Sequence, residues 1–379
     1  MRIVFLVARP TQFEVPFYRF AAEAGGPALE VWYSEPGAAA PVHDPELGRA
    51  VDWGFDLLGG YPSAIVPLEG RAAWLRARLD ERQVGLLVVN GYTRPEYRRA
   101  AWLARRAGIP TALRLDSVPV GEAWPRRLAR RLFVREGLGR LFDRFLVTGS
   151  LARFYVLAQG IAPARIGRFP YAVDHERFAA GASAGRPRRA ELRARLGVPP
   201  QARMLLALSK LHPRESPGDL LAARERLERE DLWWVLAGEG PQRPALAGWI
   251  AERGLDRVRL PGYVPYPELP AWYAAADLFV HPAREERWGV SVAEALACGL
   301  QVVASTGVGA AHDLIVPGEN GAVAAAGDPA ALAGAIETAL ALPPERVAAA
   351  SARILPEWGY EATWRELNQM TDEVQEARR

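Results

Sequence analysis

The chain has 379 residues, 50% of them hydrophobic and 24% charged, with a formal net charge of +3, so it can bury large cores and is too long for one ordinary domain. That balance excludes a disordered chain, and 35 glycines and 31 prolines without a repeat exclude collagen. The single cysteine, Cys298, excludes an internal disulfide and a cysteine zinc site and points to a reducing compartment.

The apolar run Ile3–Val7 is too short and too early for a signal peptide or a membrane span, and it reads as a buried first strand. Strand-like runs follow at Leu86–Val89, Thr111–Leu115 and Phe145–Val147, with arginine- and alanine-rich helical stretches between them. Residues 1–150 hold 21 arginines against 16 acids and the remainder 26 basic residues against 28 acids, so the halves carry +5 and −2. Residues 181–189 are small, polar and basic and suit an exposed connection, which puts a domain boundary within 170–200. A second set of strands is predicted at Met204–Leu208, Trp233–Ala237, Val258–Leu260, Leu278–His281 and Gln301–Ala304. This βα alternation predicts two α/β domains. Residues Ala322–Leu342 read as a helix, with Asp328 as cap and Pro329 at its first position. In the last segment Trp358, Tyr360, Trp364 and Leu367 recur at near-helical spacing, so it is expected to pack against another part of the protein.

Open doubly wound sheets bind ligands at the C-terminal ends of their strands. The first strand is not followed by G-x-G-x-x-G, and no P-loop is present, which disfavours a dinucleotide oxidoreductase and a P-loop NTPase. The most informative stretch is 284–299, a loop and helix between two predicted strands. It holds Glu286 and Glu294, with Gly289 between them where a backbone can approach a ligand, and its helix N-terminus offers amides to a phosphate. Ser291-x-x-Glu294 also matches a capping box, in which case the carboxylates are ordinary surface groups.

Six motifs in order are Ser209-Lys-Leu-His-Pro-Arg-Glu-Ser-Pro217, Val235-Leu-Ala-Gly-Glu-Gly-Pro241, Leu260-Pro-Gly-Tyr-Val264, Ala276-Asp-Leu-Phe-Val-His-Pro282, the Glu286-x7-Glu294 pair with Ala-Leu-Ala-Cys-Gly299, and Gly307-Val-Gly followed by Asn320-Gly. Together they resemble the catalytic domain of family-four glycosyltransferases, retaining enzymes that use nucleotide sugars. Gly91-Tyr92, Leu113-Arg-Leu-Asp-Ser117, Thr148-Gly-Ser150 and Pro170–Phe178 resemble the family's acceptor domain more loosely. The resemblance implies a GT-B fold, in which two Rossmann-like doubly wound domains face a cleft. Residues 1–175 would bind the acceptor, 176–355 the donor, and 356–379 would cross back as a helix onto the N-terminal domain.

By that resemblance the catalytic residues are Lys210, Glu286 and Asp116. Lys210 would neutralise the diphosphate where the family has an arginine, and Glu286 would bind hydroxyls of the donor sugar. Amides around Trp288, Gly289 and Val290 would meet the sugar and diphosphate, Glu294 the ribose, and Arg214, Gly238, Tyr263 and Val264 would complete the donor site. A carboxylate suits such hydroxyls because charge-assisted hydrogen bonds are the stronger kind. Asp116 stands where the family often has a histidine and would orient an acceptor or sugar hydroxyl. Glu215 departs from the family, which places a phosphate-binding lysine there. A carboxylate facing a diphosphate would cost on the order of 4 kcal/mol per like-charge pair at 4 Å, so Glu215 must turn away, pair with a cation or mark a changed site.

No metal and no cofactor are expected, because His281 and His312 have no ligand partner at recognisable spacing. A front-face displacement needs no enzyme nucleophile. The competing readings are another GT-B enzyme, such as an epimerase or phosphorylase, and a non-catalytic nucleotide-sugar-binding protein. A glycosidase is disfavoured, since eight helical residues would part Glu286 and Glu294 by about 12 Å. Expected partners are the nucleotide sugar and a glycan, lipid-linked or small-molecule acceptor, and no nucleic-acid recognition motif is seen. Residues 123–144 carry seven arginines interleaved with Trp124, Leu128, Leu132, Phe133 and Phe142. They read either as a peripheral contact with an anionic membrane or as a solvated basic helix whose apolar face packs on the core. The expected location is cytoplasmic, with that contact at the inner face of a membrane.

Overall fold

Runs of Val, Ile and Leu bounded by glycine and polar turns form the strands of two parallel sheets, as buried strands covered on both faces require. The structure, a computed structural model, describes residues 1–35, 42–44, 49–51, 56–80, 84–118, 123–227 and 229–378. Its first strands are β1 (Arg2–Val7), β2 (Ala28–Tyr33), β3 (Val42–Asp44), β4 (Arg49–Val51), β5 (Ser63–Ile65), β6 (Val84–Asn90), β7 (Thr111–Leu115), β8 (Arg144–Val147) and β9 (Ile166–Arg168). Then come β10 (Arg203–Leu208), β11 (Leu232–Ala237), β12 (Val258–Gly262), β13 (Leu278–His281), β14 (Gln301–Ser305) and β15 (Gly321–Ala324).

Two compact units result, one made of Met1–Ala40, Asp56–Ala172 and Trp358–Arg379, the other of Pro41–Phe55 and Val173–Glu357. The first unit's sheet runs β5-β2-β1-β6-β7-β8-β9 and the second's β12-β11-β10-β13-β14-β15. Each order doubles back once, between β1 and β6 and between β10 and β13, and such a reversal opens a crevice at the strand C-termini. Val4, Leu87, Leu113 and Phe145 lie in the first core, and Leu205, Trp234, Leu278 and Ile336 in the second.

Two expectations are corrected. Residues 181–189 are largely exposed, as expected, but are not an irregular connection: they form the end of the helix His175–Gly185, a short turn at Arg186–Arg188 and the start of the helix Arg189–Arg195. Their small residues serve packing, since a Cβ at Gly181 would meet Pro270 Cβ at 2.8 Å and one at Gly185 would meet Ala271 Cα at 2.9 Å. Nor is Ala322–Leu342 one helix. Residues 321–324 form the edge strand β15 beside β14, and only Pro329–Leu340 is helical, with Asp328 Oδ1 accepting from the amides of Ala330 (2.9 Å) and Ala331 (3.0 Å).

The terminal helix Tyr360–Glu376 belongs to the first unit and buries Tyr360, Trp364, Leu367, Met370 and Val374 along one face. Trp364 Nε1 donates to Gly25 O at 3.0 Å, Phe17 packs edge-on to Tyr360 and Trp364, and Glu366 Oε1 accepts from the Arg168 amide at 2.6 Å. Trp364→Ala is expected to cost about 3–5 kcal/mol. Denaturant unfolding would show the loss as a lower midpoint with an unchanged slope.

Candidate functional site

The second sheet reverses between β10 and β13, and the segments that leave these two strands carry most of the predicted donor residues. After β10 come Ser209, the half-buried Lys210 and the turn Pro213–Glu215, ended by Ser216 in the left-handed region at φ 53°. This chain lies against the loop after β11. A Cβ at Gly238, where φ is +149°, would meet Ser209 O at 1.9 Å, so only glycine fits beside the Lys210 backbone. The Gly238 amide donates to Gly262 O at 2.8 Å, which sets the next loop, with half-buried Tyr263 and buried Val264, beside it.

Beyond β13 the chain runs through Glu286, whose Oε1 accepts from the Trp288 amide at 3.3 Å, to Gly289 at φ +92°. A Cβ there would meet Val308 Cγ1 at 2.8 Å. Gly289 is the N-cap of the helix Val290–Ala297, so Ser291 and Glu294 lie within the helix and the capping-box alternative is corrected. Ser291 Oγ instead bonds His281 Nδ1 at 2.9 Å, and Glu294 Oε2 accepts from Tyr273 OH at 2.8 Å. Burial pushes the Glu294 carboxyl up to about 7, with the Tyr273 hydrogen bond and the charge of Arg177 pulling it back. Burial also raises Glu286 above its ordinary value.

Glu215 has turned inward and paired. It is buried, with Oε2 3.5 Å from His281 Nε2 and Oε1 3.6 Å from Arg214 Nη2. Burial opposes its charge, but His281, Arg214 and Lys210 outweigh burial and hold the carboxyl below its ordinary 4.5. Burial opposes charge on His281 too, and Glu215, with Glu286 beyond it, outweighs that and lifts the imidazole above 6.5. A lowered carboxyl contributes stability above its unfolded value and loses it as pH falls; a raised imidazole contributes below its unfolded value and loses it as pH rises. The Glu215–His281 pair therefore contributes most between pH 4.5 and 6.5, and removing it in Glu215→Gln is expected to cost more stability inside that window than on either side of it, measured by unfolding across a pH series.

The ligand atoms of Glu215, His281 and Glu286 lie within 4.8 Å of one another, a spacing that could hold a metal ion. His281 thus has partners of a metal-ligating kind that its sequence spacing conceals, which corrects that premise of the expectation. His312 Nε2 meets Thr306 O at 3.0 Å.

Asp116 lies in the first unit, after β7, where its Oδ2 accepts from Tyr171 OH at 3.1 Å. Beside it is a pair the sequence reading missed. Buried Arg114 bonds buried Glu14, and its guanidinium stacks on the rings of Phe169 (4.6 Å) and Tyr171 (4.5 Å). Tyr273 was missed as well, since nothing in sequence links it to a glutamate 21 residues on.

A doubly wound unit whose crevice combines cations, carboxylates and a helix N-terminus is built to receive an anionic, hydroxyl-bearing ligand. The sequence profile described as "Glycosyl transferases group 1" matches residues 188–353. A D-inositol 3-phosphate glycosyltransferase of Kineococcus radiotolerans is 31% identical over 320 residues, 78% of this chain and 67% of its own length. One of Thermomonospora curvata is 32% identical over 288 residues, 70% of this chain and 66% of its own length. The chain belongs to the group 1 glycosyl transferases, which bears out the resemblance read from its motifs. It spans 66%, 47% and 64% of three of its curated relatives. Among solved structures, Anabaena HepE in complex with UDP aligns over 100% of both chains with a TM-score of 0.76 at 17% identity, a likeness of fold that bears out the GT-B class.

Proposed function

We propose that the protein transfers a hexosyl group from a nucleotide-diphosphate sugar to an acceptor hydroxyl with retention of configuration. The observation that carries this reading is the gathering of Lys210, Arg214, Glu286 and the Val290–Ala297 helix start around the reversal of the second sheet. Lys210 and Arg214 neutralise charge that grows on the diphosphate as the glycosidic bond breaks, and helix amides add donors at the same place. Lysine does this as a point charge, without arginine's bidentate fork. Glu286 accepts hydroxyls of the sugar and Glu294 those of the ribose, with Tyr273 fixing the Glu294 carboxylate. Asp116, held by Tyr171, orients the acceptor hydroxyl, whose proton leaves with the diphosphate, so no enzyme nucleophile is required.

No metal has a part in this reading, since Lys210 and Arg214 supply the positive charge. The acceptor is a glycan, a lipid-linked sugar or a small molecule, and the enzyme works in the cytoplasm with a peripheral contact to an anionic membrane through residues 123–144. The relatives named for D-inositol 3-phosphate glycosyl transfer support the reaction class.

The test is product analysis with a panel of nucleotide sugars and acceptors, run with and without EDTA. An α-linked product from an α-linked donor, formed equally in EDTA, is the expected result. An epimerised or phosphorolysed sugar would replace the reading with another GT-B activity.

A further inference from the structure

The helix Trp124–Leu132 has no buried residue, although it carries one of the most segregated patterns in the chain. At about 100° per residue, Trp124, Leu128 and Leu132 share one arc with Pro125 and Ala129, and Arg126, Arg127, Arg130 and Arg131 fill the opposite arc. A surface helix ordinarily turns its apolar arc inward. This one leaves it in solvent, with every residue of the helix but Arg130 exposed. Trp124, Leu128 and Leu132 are 68%, 48% and 54% exposed, and Phe133 just beyond is 45% exposed. The most covered residue of the helix is the cation Arg130, which interacts with Tyr155, while the side chains of Arg131 and Arg135 lie against Gly160. The next segment, Phe133–Leu138, then buries Val134 and Leu138 in the first core, so the exposed helix is anchored at its C-terminal end. Of the two readings of residues 123–144, packing on the core therefore holds for Val134, Leu138 and Phe142, which lie in the first core, and fails for Trp124, Leu128, Leu132 and Phe133.

We propose that this helix docks on an anionic bilayer with its apolar arc inserted among the acyl chains and its arginines at the headgroup phosphates. The inference deepens the peripheral-contact reading above and rests on it. Nine residues of helix reach about 14 Å, under half of a hydrocarbon core of about 30 Å, so the helix lies in the interface and does not cross it. Among the described residues no helix is long and apolar enough to cross. The arginine fringe selects the occupant. A second copy of this chain would bring the same positive fringe against it in a two-fold contact, whereas anionic lipid supplies both the apolar layer and the opposite charge. A membrane-anchored acceptor would then meet an enzyme already held at its surface.

The test is flotation of the full chain with vesicles of phosphatidylcholine alone or with 30 mol% phosphatidylglycerol, for wild type and Leu128→Asp/Leu132→Asp. Both changed residues are exposed, and an unaltered melting temperature certifies the variant fold. Wild type is expected to float with the anionic vesicles at least tenfold better than the variant. It should also keep part of its binding in 0.5 M salt. Brominated lipid should quench wild type more than Trp124→Phe, which isolates one of the twelve tryptophans. Equal flotation of wild type and variant, abolished by salt, would overturn insertion and leave an electrostatic contact standing. No flotation of wild type at low salt would overturn both. A dimer in light scattering that the variant abolishes, without flotation, would assign the face to a second copy and overturn the lipid proposal.

Discussion

Glu286→Ala is expected to lower the rate of sugar transfer roughly 10²- to 10⁴-fold while leaving the melting temperature within about two degrees. The carboxylate stands outside the helix, in the segment between Pro282 and Gly289, and the backbone of Glu286 is held independently of its side chain by the Gly307 carbonyl and the Gly309 amide. Removing the side chain gives up the hydrogen bond from the Trp288 amide and the attraction to His281, and it relieves the repulsion from Glu215. Toward the donor it gives up charged hydrogen bonds of about 1.5–3 kcal/mol each, and two of them account for that loss of rate. Glu286→Gln keeps the shape and one acceptor oxygen, so it should lie between the two. The measurement is kcat and KM for donor with each variant. A loss confined to KM would mean that Glu286 holds the ground state and transition state equally.

Gly238→Ala should have the larger effect on folding. A methyl group there would stand 1.9 Å from Ser209 O, a backbone atom that no side-chain rotation relieves, at a φ of +149° that alanine does not adopt cheaply. Strain and overpacking together come to about 3–5 kcal/mol. For a unit of this size the midpoint should fall by roughly 10 °C. Relief of the clash requires the Ser209–Lys210 backbone to move, so nucleotide binding should weaken beyond the loss of stability. Gly248→Ala, where a Cβ meets nothing within 4 Å, is the control and is expected to be near neutral. Equal melting temperatures for the two variants would contradict the close approach of these loops.

Most strands of the two sheets were legible, but β2 (Ala28–Tyr33), six residues and almost wholly buried, was missed because Glu30 interrupts its apolar run. β1, β7 and β13 lie where the sequence predicts them, although β7 carries the buried Arg114. The three-residue strands β5 and β9 carry too little pattern to be seen, and β15, Gly-Ala-Val-Ala, was absorbed into the alanine-rich stretch that follows it. Residues 181–189 misled because small residues serve a linker and a close helix contact alike, and only the facing Pro270 and Ala271 separate the two. At the site, Glu286 and Glu294 were legible because they share one motif with Gly289. The environments of Glu215 and Glu294 were not, because His281 and Tyr273 reach them from other elements. The fate of Glu215 was foreseen as a set of three options, and the structure selects pairing with a cation. On the helix Trp124–Leu132 the sequence displays two faces but not which one points outward.

Thermal unfolding with UDP, GDP, ADP and dTDP, on wild type and Lys210→Ala, tests most directly whether the crevice between β10 and β13 is a nucleotide-diphosphate site. A ligand present at about 100 times its dissociation constant adds roughly 2.7 kcal/mol, a shift of several degrees. The account predicts that one of the four stabilises wild type and that Lys210→Ala loses most of that gain while melting normally without ligand. No shift with any nucleotide at millimolar concentration would contradict it, and would mean that Glu215 and His281 have closed the site to a diphosphate.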